Sequence, residues 1–118
     1  MKKIYLAVPY SNGDAKTRQE RFERVNRVAA KLMREGFLVF SPISHTHPIA
    51  LAGELPKGWA FWKESCEEFL KWADEVFVLA LEGWKESVGV TAELAYAAET
   101  GKPVIFIREE GEMQDANK

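Results

Sequence analysis

The stretch Lys3-Ile4-Tyr5-Leu6-Ala7-Val8, halted by Pro9 and then by Ser11-Asn12-Gly13-Asp14, decides the fold. Its apolar residues run on without polar alternation, so a strand here needs cover on both faces. That is the pattern of a buried parallel sheet rather than of a half-wetted antiparallel one. Proline and the polar cluster after it end the strand and begin a turn. Phe22, Val25, Val28, Ala29, Leu32 and Met33 then form one helical stripe within residues 15–35. Arg18, Glu20, Arg21, Glu23, Arg24 and Arg27 occupy the other faces of that helix. Gly36 closes it, and residues 37–40 make a second strand stopped by Ser41-Pro42.

Residues 41–58 hold three prolines and both histidines, and read as a long structureless connection of the kind that serves as a lid. Trp62, Cys66, Phe69, Leu70 and Ala73 recur at helical spacing and predict a helix over residues 59–72. Residues 75–81 give a third strand, and residues 82–86 a loop. Ser87 is a suitable N-cap for a helix reaching Thr100. Gly101 and Pro103 precede a fourth strand at residues 104–107, and the polar tail at residues 108–118 is expected to fray. Strand and helix alternation predicts one α/β domain over residues 1–107. The expected architecture is a three-layer, flavodoxin-like or Rossmann-like parallel sheet of about four strands in the order 2-1-3-4. Ligands of such sheets bind beyond the carboxyl ends of the strands where the order reverses, here between the first and third.

Composition narrows the function. The 118 residues are 47% apolar and 29% charged, and carry a net charge of -2. Tracking long nucleic acid requires a basic excess, which is absent, so that partner class is not expected. The single cysteine, Cys66, cannot form an internal disulfide. The apolar run at residues 4–9 is too short for a signal-peptide core, and the longest apolar stretch, at residues 76–81, is far below a membrane span. These features predict a cytoplasmic, soluble chain that binds a small molecule and no membrane.

Ser87-Val88-Gly89-Val90-Thr91-Ala92-Glu93 starts a helix where the topology places a ligand. Its free N–H groups and positive dipole end suit an anion. Gly89 lies one turn before Glu93, leaving room above that carboxylate, although the spacing fits a solvated acid equally well. Tyr5, inside a strand covered on both faces, needs a partner for its hydroxyl, either backbone or the Glu93 carboxylate. Ser11, Asn12 and His45 are the binding candidates on the first two crevice loops. His45-Thr46-His47 lacks further ligands at metal spacing, so no metal and no cofactor is expected. Trp59, Phe61 and Trp62 suit a core edge, with an aromatic near the crevice able to stack on a base.

Ile4-Tyr5-Leu6-Ala7, Ala73-Asp74 before a strand, and Ser87-x-Gly89-x-x-x-Glu93 resemble the nucleoside 2-deoxyribosyltransferase superfamily, which includes the 2'-deoxynucleoside 5'-phosphate N-hydrolases. With Ser41-Pro42-Ile43-Ser44-His45 and Gly83-Trp84-Lys85-Glu86-Ser87, the chain most resembles a small branch of it. The resemblance covers residues 3–107. It implies that Glu93 is the nucleophile that attacks the anomeric carbon, that Tyr5 positions it, and that Ser87 and Gly89 hold a 5'-phosphate. It also places Cys66 at the catalytic acid position, where the family usually carries aspartate. The implied function is cleavage of the N-glycosidic bond of a nucleoside 5'-monophosphate or nucleoside, the sugar passing to water or another base. The alternative is a non-catalytic nucleotide-binding module with a degenerate site. Family precedent and the Trp59, Phe61, Trp62 and Trp84 cluster imply a homo-oligomer.

Overall fold

The computed structural model describes residues 1–109. Four strands, β1 (Lys3–Ala7), β2 (Leu38–Phe40), β3 (Glu75–Leu79) and β4 (Val104–Ile107), form one sheet in the order β2-β1-β3-β4. Every pairing is parallel, with Tyr5 opposite both Phe40 and Val76, and Leu79 opposite Ile107. The helices are α1 (Ala15–Arg34), α2 (Pro42–Gly53), α3 (Trp59–Trp72) and α4 (Val88–Thr100). The fold is the expected α/β one.

Strand alternation divides the core in two. Ile4, Leu6 and Val8 face one side, where Val25, Val28, Ala29 and Leu32 of α1 cover them together with Phe77 and Leu79. Tyr5 and Ala7 face the other side, among Cys66 and Leu70 of α3, Val76 and Val78 of β3, and Val90 and Ala97 of α4. Met33, expected on the buried stripe, is 53% exposed, whereas its neighbour Leu32 is buried in the core. Asp14 caps α1 by accepting from the Lys16 amide and the Thr17 hydroxyl. Gly36 and Gly101 end α1 and α4 at φ of +101° and +72°, a region costly for residues with a Cβ.

Residues 41–58 differ from expectation, because twelve of them form α2. Pro42 sits at its start, where a missing N–H costs nothing, and Pro48 is tolerated inside. Pro42, Thr46, His47 and Ala50 turn inward, while Ile49 and Leu51 are exposed. With Thr46 and His47 inside and Ile49 and Leu51 outside, the amphipathic stripe that announces a helix is missing. The expected loop at residues 82–86 contains a short 3₁₀ turn, Trp84–Glu86. The strand expected to reach residue 81 ends at Leu79. Most of the tail expected to fray lies outside the described residues; within them, Glu109 accepts from the Arg24 guanidinium of α1.

Leu70, fully buried under Tyr5 and Val78, and Leu51, 54% exposed on α2, give a direct check of this packing. Leu70→Ala is expected to cost ~2–5 kcal/mol and Leu51→Ala less than ~0.5 kcal/mol in urea unfolding.

Candidate active site

The site begins with Tyr5 in the middle of β1. Its side chain projects onto the α3–α4 face with no exposed surface, and there its hydroxyl donates to a carboxylate oxygen of Glu93. Glu93 lies on the second turn of α4 and is only 5% exposed, so the solvated-acid reading is excluded. The start of α4 is fixed by Ser87, whose hydroxyl accepts from the Val90 amide at 3.2 Å. Burial disfavours the charged carboxylate and pushes Glu93 up to about 8, while the Tyr5 hydrogen bond pulls it back. Burial first, and then the neighbouring Glu93 charge, raise the Tyr5 phenol well above its ordinary value. Cys66 of α3 is buried alongside, and burial pushes its thiol up to about 11.

These groups open onto a cleft of about 480 Å³, part of it open solvent. Glu93, Cys66, Ser87, Gly89 and Ser11 all line it, so the topology brings these five candidates together at the β1–β3 reversal. Tyr5 stands behind Glu93. The room expected above Glu93 is shared with an aromatic ring: a Cβ on Gly89 would lie 3.6 Å from Cε3 of Trp59. Trp59 and Trp62 line the cleft, whereas Phe61 points away and is 50% exposed. Ser11 donates to the Lys57 carbonyl at 3.1 Å, closing the cleft's rim.

Two expected binding residues lie outside the lining. Asn12 is engaged in the turn before α1, its side chain accepting from the Asp14 amide at 2.8 Å and its carbonyl from Arg18. His45 is exposed on α2 and leans on Phe40 with ring centroids 5.9 Å apart. Because α2 is helical, residues two apart face different ways, and it is His47 that turns inward. The H-x-H pair therefore does not converge, and no group of three metal-ligating side chains forms among the described residues. His47 bridges Tyr10 and Gln19, with Nε2 at 2.9 Å from the Gln19 side-chain oxygen Oε1.

Thr46 and His47 entered the sequence analysis only as part of the H-x-H motif, and Tyr10 and Lys57 were not candidates, yet Tyr10, Thr46 and Lys57 line the cleft and His47 holds the Tyr10 hydroxyl. Tyr10 belongs to a loop the topology had marked, so its position was readable and its role was not. Thr46 and His47 were hidden because the helix carrying them was read as loop.

The raised value of Glu93 makes stability depend on pH. A carboxyl that holds its proton more tightly folded than unfolded stabilises fully below its ordinary 4.5 and loses that contribution as pH rises toward 8. The difference in unfolding free energy between wild type and Glu93→Gln is therefore expected to shift by a few kcal/mol in the variant's favour between pH 5 and pH 9. A pH-independent difference in urea titrations would contradict a protonated, buried Glu93.

Residues 2–109 match the family described as a domain of unknown function, DUF1937. No curated protein sequence matches the chain. Among solved structures, it is similar to the 2-deoxyribosyltransferase of the psychrotolerant bacterium Bacillus psychrosaccharolyticus. The two share 27% identity at a TM-score of 0.56, with 96% of this chain and 77% of that one covered. The chain thus belongs to the DUF1937 family, and its fold and sequence make it a member of the nucleoside 2-deoxyribosyltransferase-like superfamily.

Proposed function

We propose that residues 1–107 form one catalytic domain that cleaves the N-glycosidic bond of a nucleoside 5'-monophosphate or nucleoside, with Glu93 as nucleophile. The observation that carries this reading is the buried carboxylate of Glu93, held by the Tyr5 hydroxyl and facing a cleft at the start of α4. Breaking the bond builds positive charge at the anomeric carbon, which an adjacent carboxylate stabilises and then captures as an ester. That developing charge favours the ionised form of Glu93, whose proton passes to solvent through the cleft that the side chain lines. Tyr5, donating from a strand that cannot move, fixes the attacking oxygen and lowers the cost of ionising it. Water or a second base then releases the sugar. The similar solved enzyme is a 2-deoxyribosyltransferase, which supports chemistry at this bond.

Ser87 and Gly89 stand at the N-terminal turn of α4, where unpaired backbone N–H groups and the helix dipole favour an anion. A neutral hydroxyl there suits a 5'-phosphate, so nucleotides are preferred to nucleosides. Trp59 and Trp62 offer flat apolar surface to the base, and Ser11 borders it. Cys66 occupies the acid's place as a neutral thiol. Phe61, Phe69 and Trp72 leave α3 with exposed aromatic surface, and we propose that copies of the chain associate through this helix. No helix among the described residues is long and apolar enough to cross a membrane, and we propose that the protein acts in the cytoplasm.

Incubation with a panel of nucleosides and their monophosphates, followed by chromatography for free base, tests the reaction. Glu93→Gln is expected to abolish release, and Tyr5→Phe to slow it by ~10–100-fold through loss of one charge-assisted hydrogen bond. Release by Glu93→Gln at the wild-type rate would overturn the mechanism, and no release by wild type from any substrate would overturn the activity. Calorimetry is expected to show monophosphates binding more than ~10-fold tighter than the matching nucleosides. Equal affinities would remove the phosphate assignment. Sedimentation at micromolar concentration is expected to give a dimer or larger species, and a clean monomer would refute association through α3.

A further inference from the structure

We propose that the Tyr10 hydroxyl, held by His47, delivers the proton to the departing base. The inference rests on the N-glycosidic reading above. A base leaves readily only when a proton reaches its nitrogen as the bond breaks. Burial raises both the Cys66 thiol and the Tyr10 phenol above their ordinary values, so what sets Tyr10 apart is the imidazole on its hydroxyl, which can restore the proton it gives up. Tyr10 lines the same cleft as Glu93, and its hydroxyl lies 2.5 Å from Nδ1 of His47.

The imidazole is immobilised on every side. Its Nε2–H donates to the Gln19 side-chain oxygen Oε1 at 2.9 Å, which leaves Nδ1 to accept from Tyr10. The ring stacks on Phe22 at 4.3 Å and 27°, and meets the Tyr10 ring edge-on at 5.5 Å. His47 is 3% exposed, and an apolar side chain would fill that space without a polar group to satisfy. The charged and titratable groups facing it are Arg18 of α1, Lys57 from the α2–α3 connection, and Tyr10 from the β1–α1 connection. Burial, then Arg18 and Lys57, hold the ring below its ordinary value and hence neutral in the empty site. A bound phosphate adds negative charge that opposes both cations, and the ring takes up a proton from solvent at Nδ1.

That proton reverses the hydrogen bond. Nδ1–H now donates to the Tyr10 oxygen, and the Tyr10 O–H turns to the base. As the C–N bond breaks, its electron pair stays on the base nitrogen and the Tyr10 proton moves onto it. The Nδ1 proton of His47 moves to the Tyr10 oxygen, while a Glu93 carboxylate oxygen bonds to the anomeric carbon. A neutral base, a neutral Tyr10, a neutral His47 and a glycosyl ester result. Tyr10 is the catalytic residue and His47 its positioning and recharging residue.

Purine nucleoside 5'-monophosphates and their N7-methylated forms separate this role from a structural one, because the methylated base already carries the charge that protonation would supply. Tyr10→Phe is expected to slow release from the unmethylated substrates by about 100-fold or more, and to leave the methylated ones within about threefold of wild type. His47→Asn, which keeps a polar partner for Tyr10, serves if Tyr10→Phe does not fold, and is expected to show the same selective loss. In wild type, the ratio of unmethylated to methylated rates is expected to fall as pH rises through the His47 range, and to lose this dependence in His47→Asn. Equal losses on both substrate forms would overturn the proposal, as would selective loss in Lys57→Met with none in Tyr10→Phe. Wild type that cleaves only the methylated forms would refute the acid while sparing the Glu93 reading; cleavage of neither would refute both.

Discussion

A hydroxyl inside a strand that is covered on both faces must find its partner within the protein. Tyr5 is such a group, and its hydrogen bond to Glu93 ties the central strand β1 to the first turns of α4. The constraint works in both directions. Tyr5 draws the carboxylate away from water, and the buried carboxylate keeps α4 seated over the β1–β3 reversal. Ser87 and Gly89 inherit their place at the cleft from that seating, because both stand on the same helical start. Phe40 and the α3 helix close the surroundings of the Tyr5 ring, so the hydroxyl that holds the acid is itself fixed in the core.

A buried acid held largely protonated at neutral pH is a poor stabiliser. Its cost is offset by the apolar core on that face of the sheet, which includes Leu70, Val76, Val78 and Val90. Such a conflict between stability and local chemistry is common where function requires a group to change charge during a reaction. Cys66 shows the complementary case. Its thiol is neutral, small and buried, so it fills the space beside Tyr5 and Glu93 without adding a second negative charge there.

The sheet was legible because its signals are redundant. Unbroken apolar runs at β1 and β3, capped helices between them, and glycines after α1 and α4 all point to the same order. Tyr5, Glu93, Ser87 and Gly89 were legible for a related reason: each sits at a place the topology fixes. The opposite wall was not. In α2 Thr46 and His47 turn inward and Ile49 and Leu51 outward, which inverts the pattern that periodicity detects. His45 was therefore favoured over His47, although about half a helical turn separates them and it is His47 that turns inward to hold Tyr10. Tyr10, Gln19 and His47 come from three separated elements, and their hydrogen-bonded chain exists only once α2 packs on α1.

Glu93 and His47 carry opposite proton biases, and each is held in its neutral form. Burial holds Glu93 up, so it keeps a proton, and burial with nearby cations holds His47 down, so it lacks one. Neither side then pays the cost of an unpaired buried ion, which would be several kcal/mol after relaxation. Chemistry at an N-glycosidic bond needs the reverse on each side, a carboxylate against the sugar and a proton donor against the base. A ligand whose sugar develops positive charge beside Glu93, and whose phosphate brings negative charge into the cleft, supplies both biases itself. Under the proposed reaction, Glu93 and His47 would take up their charged forms only around such a ligand.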